Sequence, residues 1–385
     1  MSQRAYMPDY LRLFALFGIV VVNVQSMAFP ILEGFFAASR SDPIDEGVIW
    51  LVHGLAYFKT YGLFSFMFGV GLAFQMRSAE RRALPFGPMY RNRMIGLAFL
   101  GLLHGCLLFP YDILVLYAVT GSILYVMRNW AVRRLVRWGM ILLVVQIVLA
   151  SLFLLNAPAD EAVGALERQI MVHGGFVDVT IFRTLSFLNI FPFLLVLQGF
   201  SALGWFCLGL AAVKSGLIDT PDHPVWTRAR RWFLIPGVAL SLFAAGLWQW
   251  GPSAVTEALG MILVLAAAPL ATFGYLGLIA LVAKPPGPRF APFLKAGGSS
   301  LSIYLGQSIV LATLFAPYGL GLWDRVGPAV AVVLALATTV VLILALIAWR
   351  SRFALGPFEW LLRRITRIGV RAPAAGKARG VGDNI

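Results

Sequence analysis

The chain is predicted to be an all-α, polytopic integral membrane bundle of about ten transmembrane helices with both termini in the cytoplasm, and three observations predict it. Hydrophobic residues make up 60% of its 385 residues and charged residues only 12%, against roughly 45–50% and about 25% in soluble domains. Mean hydropathy is +0.83, and apolar runs long enough to cross about 30 Å of hydrocarbon recur from end to end. Finally, Lys and Arg gather in alternate connections between those runs.

Taken in order, the runs lie near 10–29, 58–76, 94–109, 112–127, 138–156, 186–213, 232–250, 255–283, 299–317 and 327–349. The first has only a short polar lead from Ser2 to Asp9, exceeds a signal-peptide core and lacks a small-residue cleavage site behind it, so a retained helix is expected. With the amino terminus inside, the inner segments are the tip before Leu13, then 77–93, 128–137, 214–231, 284–295 and 350–385. Together they hold 26 of the 31 Lys and Arg residues. Only Arg40, Lys59, Arg168, Arg183 and Arg325 fall elsewhere, which satisfies the positive-inside rule. The formal charge of +14 is thereby explained by orientation. No basic patch interleaved with aromatics argues for nucleic acid.

Of the outer connections, 30–50 and 157–185 are long, and the second carries an amphipathic pattern around Glu161–Val172 that predicts an interfacial helix. Residues 1–371 read as one membrane domain and 372–385, rich in Gly, Ala and charge, as a disordered cytoplasmic tail. Cys106 and Cys207 each sit inside an apolar run and read as packing residues. There is no soluble catalytic domain, and no HExxH, GxSxG, Walker, paired-Cys or GxGxxG context, so no protein-held metal is expected. Any chemistry belongs to the membrane helices.

Ionisable groups at membrane depth are costly and therefore draw attention. Asp9 and Arg12 are three apart at the start of the first run and can pair on one face, either as a depth anchor or as part of a site. Asn23 lies further along the same run and suits interhelical hydrogen bonding. Lys59 opens the second run, where its long stem can snorkel to the outer surface, and His53 just before it is expected at the interface. His104 falls near the midplane of the third run. Asp112 follows the tight Phe109-Pro110-Tyr111 turn, so the two sit on adjacent antiparallel helices, with Gly101 and Gly105 permitting close approach. A carboxylate there would fix the imidazole tautomer and raise its basicity. Glu257 opens the eighth run. In the ninth, Ser300, Tyr304, Gln307 and Ser308 share one face as a polar stripe, which either binds helices together or lines a site. Gly356-Pro-Phe-Glu359-Trp360 begins a basic amphipathic segment suited to the cytoplasmic surface.

These elements, in this order, resemble the YeiB-like family, the domain of unknown function numbered 418. The elements are Asp9 to Arg12, Lys59 to Gly71, His104 with Asp112 to Ala118, Tyr304-Leu-Gly-Gln307-Ser308, and Gly356 to Trp360. Two departures are Leu13, where Gly is usual, and Ser300 to Ile303, where a Leu-Thr-Asn-Tyr type stretch is usual. The resemblance implies a grouping with transmembrane acyltransferases similar to heparan alpha-glucosaminide N-acetyltransferase, which pass an acyl group from cytoplasmic acyl-CoA to an acceptor reached from the other side. In that reading His104 is the general base and Asp112 its orienter. Arg12, Arg91, Arg93 and Arg363 contact the phosphates of acyl-CoA or acetyl-CoA, and the acceptor bears a hydroxyl or an amine. The expected setting is the lipid of a bacterial cytoplasmic (inner) membrane, with a homo-oligomer left open. The alternative is a transporter or lipid-handling protein in which Asp9, Lys59, Asp112 and Glu257 mark a polar pathway.

Overall fold

The computed structural model describes residues 5–30, 42–154 and 161–370, and among these there is helix but no strand. The helices are α1 (Met7–Ala28), α2 (Pro43–Leu55), α3 (Lys59–Arg81), α4 (Phe86–Leu107), α5 (Leu114–Met127), α6 (Val132–Leu154), α7 (Glu161–His173) and α8 (Phe176–Lys214). They continue with α9 (Pro224–Trp250, carrying a π turn at Arg230–Leu234), α10 (Ala254–Val282), α11 (Ala291–Gly297), α12 (Ser300–Phe315), α13 (Pro328–Arg352) and α14 (Pro357–Thr366). The tail expected beyond residue 371 lies outside the described residues.

Among the described residues six helices are long and apolar enough to cross a membrane: α1, α6, α8, α9, α10 and α13. A seventh span arises if α11 and α12, bent by 77° at their junction, are taken together. Their outer faces carry large apolar side chains in the open, including Val144, Val148, Leu185, Leu188, Val333 and Val341. A soluble protein rarely exposes so much apolar surface, whereas hydrocarbon accepts it. The chain is therefore a multi-pass membrane protein.

Each of the ten expected runs holds a helix, but α3, α4, α5 and, taken alone, α12 do not meet the same standard of length and hydropathy. At 14 residues, α5 is about 21 Å long by the usual rise per residue. Helix α3 begins at Lys59 and α4 carries Arg91, Asn92 and Arg93 in its second turn. Helix α5 is buried along most of its length between α4 and α8, so its outward hydropathy matters less than its packing. Four shorter helices among the described residues, α2, α7, α11 and α14, lie outside the ten runs. Helix α2 occupies part of the long 30–50 connection, capped by Asp42, whose carboxylate accepts from the Ile44 and Asp45 amides. Helix α7 covers the stretch read as amphipathic.

The α3–α8 pair packs against α5 and α6 through α8 and against α1 and α10 through α3, while α12 packs on α1 and α13. Gly69 and Gly209 let α3 and α8 touch backbone to backbone, since a Cβ on Gly69 would collide with the Phe206 carbonyl and one on Gly209 with the Phe66 carbonyl. Around that contact Leu63, Phe66, Val70, Tyr117, Trp205 and Phe206 belong to an extended apolar core. At the Arg-rich end, α14 lies across α4 and the start of α12, burying Leu362.

Candidate functional site

Helix α4 ends and α5 begins around Phe109-Pro110-Tyr111, so the last turn of one faces the first turn of the other. Gly101 makes that approach possible: a Cβ there would stand 2.6 Å from both Asp112 Oδ2 and the Val115 amide nitrogen. His104 Nδ1 lies 2.8 Å from Asp112 Oδ1. The other carboxylate oxygen accepts the Val115 N–H at 2.8 Å, which satisfies an orphan donor at the start of α5 and fixes the carboxylate plane. On the far side of the ring, His104 Nε2 lies 2.8 Å from Ser308 Oγ, on α12. The three side chains come from α4, from the α4–α5 connection, where Asp112 sits two residues short of the helix expected to carry it, and from α12, and all are buried, His104 at 1%, Asp112 at 0% and Ser308 at 3% exposure.

With Asp112 taken as the carboxylate its oxygens only accept, which places the imidazole proton on Nδ1 and the lone pair on Nε2. Ser308 therefore donates to Nε2. The result is an Asp–His–Ser chain of the kind that prepares a base for a hydroxyl proton. Tyr304, one turn before Ser308 on α12, sets its ring 5.1 Å from the imidazole, centre to centre. Its buried hydroxyl makes no hydrogen bond of standard geometry.

Tyr304 also borders a cavity of about 140 Å³ that runs toward the Arg-rich end. Phe64, Met67, Phe68, Leu97, Leu114 and Leu362 give it apolar walls, Tyr117 and Tyr304 close its inner end, and Arg12 and Arg93 stand at the other. The Tyr117 hydroxyl is held by Ser65 at 2.7 Å. Arg12 also reaches Asp9 at 3.0 Å. Arg91 and Arg363 are elsewhere: both are exposed, and Arg363 shares a surface groove with Trp360, Arg364 and Arg367. Desolvation and then its cationic neighbours Arg367 and Arg82 push the Arg363 guanidinium below its usual range, which marks a rim of concentrated positive charge.

The remaining polar residues singled out in the sequence divide between other places. Gln307 donates to Thr339 Oγ1 at 2.8 Å and to the Leu16 carbonyl at 3.3 Å, tying α12 to α13 and α1. Glu359 accepts from the Leu301 and Ser302 amides at the start of α12 and from the Ser302 hydroxyl, so it caps that helix. Asn23 is half-buried in α1, and Glu257 is exposed at the start of α10.

Lys59 corrects an expectation. It does not snorkel to the surface but is fully buried, with Nζ donating to the His53 carbonyl at 2.9 Å. His53 is likewise not interfacial: it is 1% exposed and stacked on Trp248 at 4.0 Å. The reason is α2, in a stretch that reads from sequence as a connection. It turns into α3 through Phe58, at φ 60°, and packs on α9, covering both side chains. Asp9, Lys59, Asp112 and Glu257 thus fall into separate settings.

Ser308 is legible in the sequence only as one member of a polar stripe. Nothing local to α12 says which of Ser300, Tyr304, Gln307 and Ser308 meets the histidine, because His104 is 204 positions away.

Residues 212–369 match the family described as Protein of unknown function (DUF418). The chain is 28% identical to the uncharacterized protein YxaH of Bacillus subtilis (strain 168), over 95% of this chain and 94% of that protein. It is 27% identical to the uncharacterized protein YeiB of Escherichia coli (strain K12), over 96% and 97% respectively. An uncharacterized 39.9 kDa protein in the amylase 3' region of Bacillus acidopullulyticus is 24% identical over 93% and 92%. No solved structure matches the chain. These matches bear out the resemblance to the YeiB-like, DUF418 family: the family match covers residues 212–369, and the bacterial relatives align along nearly the whole chain.

Proposed function

We propose that this protein is an acyltransferase of the bacterial cytoplasmic membrane, moving an acyl group from a cytoplasmic CoA thioester to an acceptor hydroxyl or amine at or across the membrane. The observation that carries the reading is His104, held at its two nitrogens by Asp112 and Ser308 and separated by the Tyr304 ring from a cavity whose other end is cationic. Acyl transfer asks for this division of labour. A base must take a proton from the nucleophile and return one to the leaving group, and a carboxylate on the base's other nitrogen stabilises the imidazolium between those events. Phosphate groups are held by guanidinium forks, and Arg12 and Arg93 stand where the donor would enter. The cavity has room for a short acyl group and its thioester, while a nucleotide stays outside among the cations of the rim. Burial of the three polar side chains keeps water from the reacting carbonyl.

The test is acetyl-CoA binding and turnover by the purified chain in nanodiscs. His104→Ala should bind acetyl-CoA as the parent does and lose transfer by roughly 10²- to 10⁴-fold, the usual contribution of a general base. Absence of acetyl-CoA binding by the parent would overturn the reading and leave a transporter or lipid-handling role in front.

A further inference from the structure

We infer that Ser308 is a covalent acyl carrier: the acyl group passes from the thioester to Ser308 Oγ before it reaches the acceptor. This rests on the acyltransferase reading and adds an intermediate and a nucleophile to it.

The supply of lone pairs on His104 decides which proton moves first. His104 has two ring nitrogens, and Nδ1 is committed as donor to Asp112. Asp112 cannot turn to release it, because its second oxygen is held by the Val115 amide. The only basic atom of the ring is therefore Nε2, and Ser308 Oγ already occupies it at 2.8 Å. An acceptor molecule cannot hand its proton to Nε2 without first displacing Ser308. The proton that His104 is placed to take first is that of Ser308. A serine in a membrane helix more commonly bonds back to the carbonyl four residues earlier. Here that distance, Ser308 Oγ to the Tyr304 carbonyl, is 3.5 Å, so the bond to His104 is the one of good length.

The steps balance. Ser308 Oγ attacks the thioester carbonyl as its proton moves to His104 Nε2, and a carbon–oxygen bond forms. The carbon–sulfur bond then breaks, and the departing CoA sulfur takes the proton from Nε2. In the second half the acceptor hydroxyl or amine attacks the Ser308 ester and gives its proton to Nε2. The Ser308 oxygen leaves and recovers that proton. No redox change occurs. Tyr304, whose ring borders both the cavity and the imidazole, must shift for the thioester to reach Oγ. A covalent carrier also resolves a problem of sides. A donor bearing phosphates and an acceptor arriving from the opposite face need not occupy the buried site together, and an ester in a dry setting survives the interval.

The experiment incubates the full chain in nanodiscs with acetyl-CoA and no acceptor, then quenches in acid and maps acetylated peptides. The expected result is release of CoA together with an acetyl ester on the peptide containing Ser308, absent in His104→Ala and Ser308→Ala although both still bind acetyl-CoA. Should Ser308→Ala fail to fold, Ser308→Cys serves. It should carry the acetyl group as a thioester that neutral hydroxylamine removes. Binding of acetyl-CoA by the parent without any label on Ser308, or transfer by Ser308→Ala at the parent rate, would overturn the carrier and leave direct transfer by the His104 base. No binding by the parent would overturn the carrier together with the acyltransferase reading.

Discussion

At Asp112 both carboxylate oxygens are committed, one to the His104 ring and one to the Val115 amide. From sequence alone Asp112→Asn looks mild, because an amide keeps a hydrogen bond. The observed partners reverse that expectation. In the Asp112→Asn side chain the amide oxygen must face the Val115 N–H, which turns the NH₂ toward His104 Nδ1. The ring proton then moves to Nε2, where it opposes the Ser308 hydroxyl. Asp112→Asn should therefore lose activity on the order of 10²- to 10⁴-fold, as removal of the correct tautomer does in hydrolytic triads. Acetyl transfer rates and acetyl-CoA affinity measured on the same preparations will check this. Activity within about tenfold of the parent would mean that His104 does not work through Nε2. Tyr304→Phe keeps the ring against His104 and removes only the hydroxyl, so a rate loss with unchanged acetyl-CoA affinity would assign that hydroxyl to the transition state.

At the scale of the helix, what is legible in the sequence depends on whether the signal is local. The α4–α5 hairpin is readable because the turn, the glycines, His104 and Asp112 all lie close together along the chain. The burial of Lys59 is not readable, since it needs α2 folded back against α9, and a connection carrying Asp42, Asp45 and Glu46 reads as surface. Nor is the capping of α12 by Glu359, a contact between residues 58 positions apart. Glu359→Ala would leave the Leu301 and Ser302 amides without their acceptor, and loss of such a cap costs about 0.5–2 kcal/mol. The α3–α8 contact is less forgiving. Gly69→Ala drives a methyl into the Phe206 carbonyl, which is backbone and cannot swing aside, so the helices must part. A loss of about 1–3 kcal/mol is expected. Thermal midpoints in detergent should fall for both, and an unchanged midpoint in Gly69→Ala would show that the two helices pack less closely than described.

For the whole molecule, the charge map and the helix order make one joint statement about sidedness. The α9–α10 connection, Gly251 to Ser253, carries no charge, whereas the stretch after α10 carries Lys284, Arg289 and Lys295. If Lys and Arg stay in the cytoplasm, these connections lie on opposite faces, with α10 between them as a full span of 29 residues. The Arg12 and Arg93 end of the cavity then faces the cytoplasm, where CoA thioesters are made, and its positive field draws phosphate inward. Cys106 and Cys207 are the only native thiols, so a background of Cys106→Ala and Cys207→Ala allows single reporters. Ser253→Cys should react with a membrane-impermeant maleimide in intact cells, and Arg289→Cys only after the membrane is opened. Labelling of both from outside would show that α10 does not cross. The reversed pattern would turn the cationic end of the cavity outward, away from any supply of acyl-CoA, and would remove the donor on which the proposed chemistry depends.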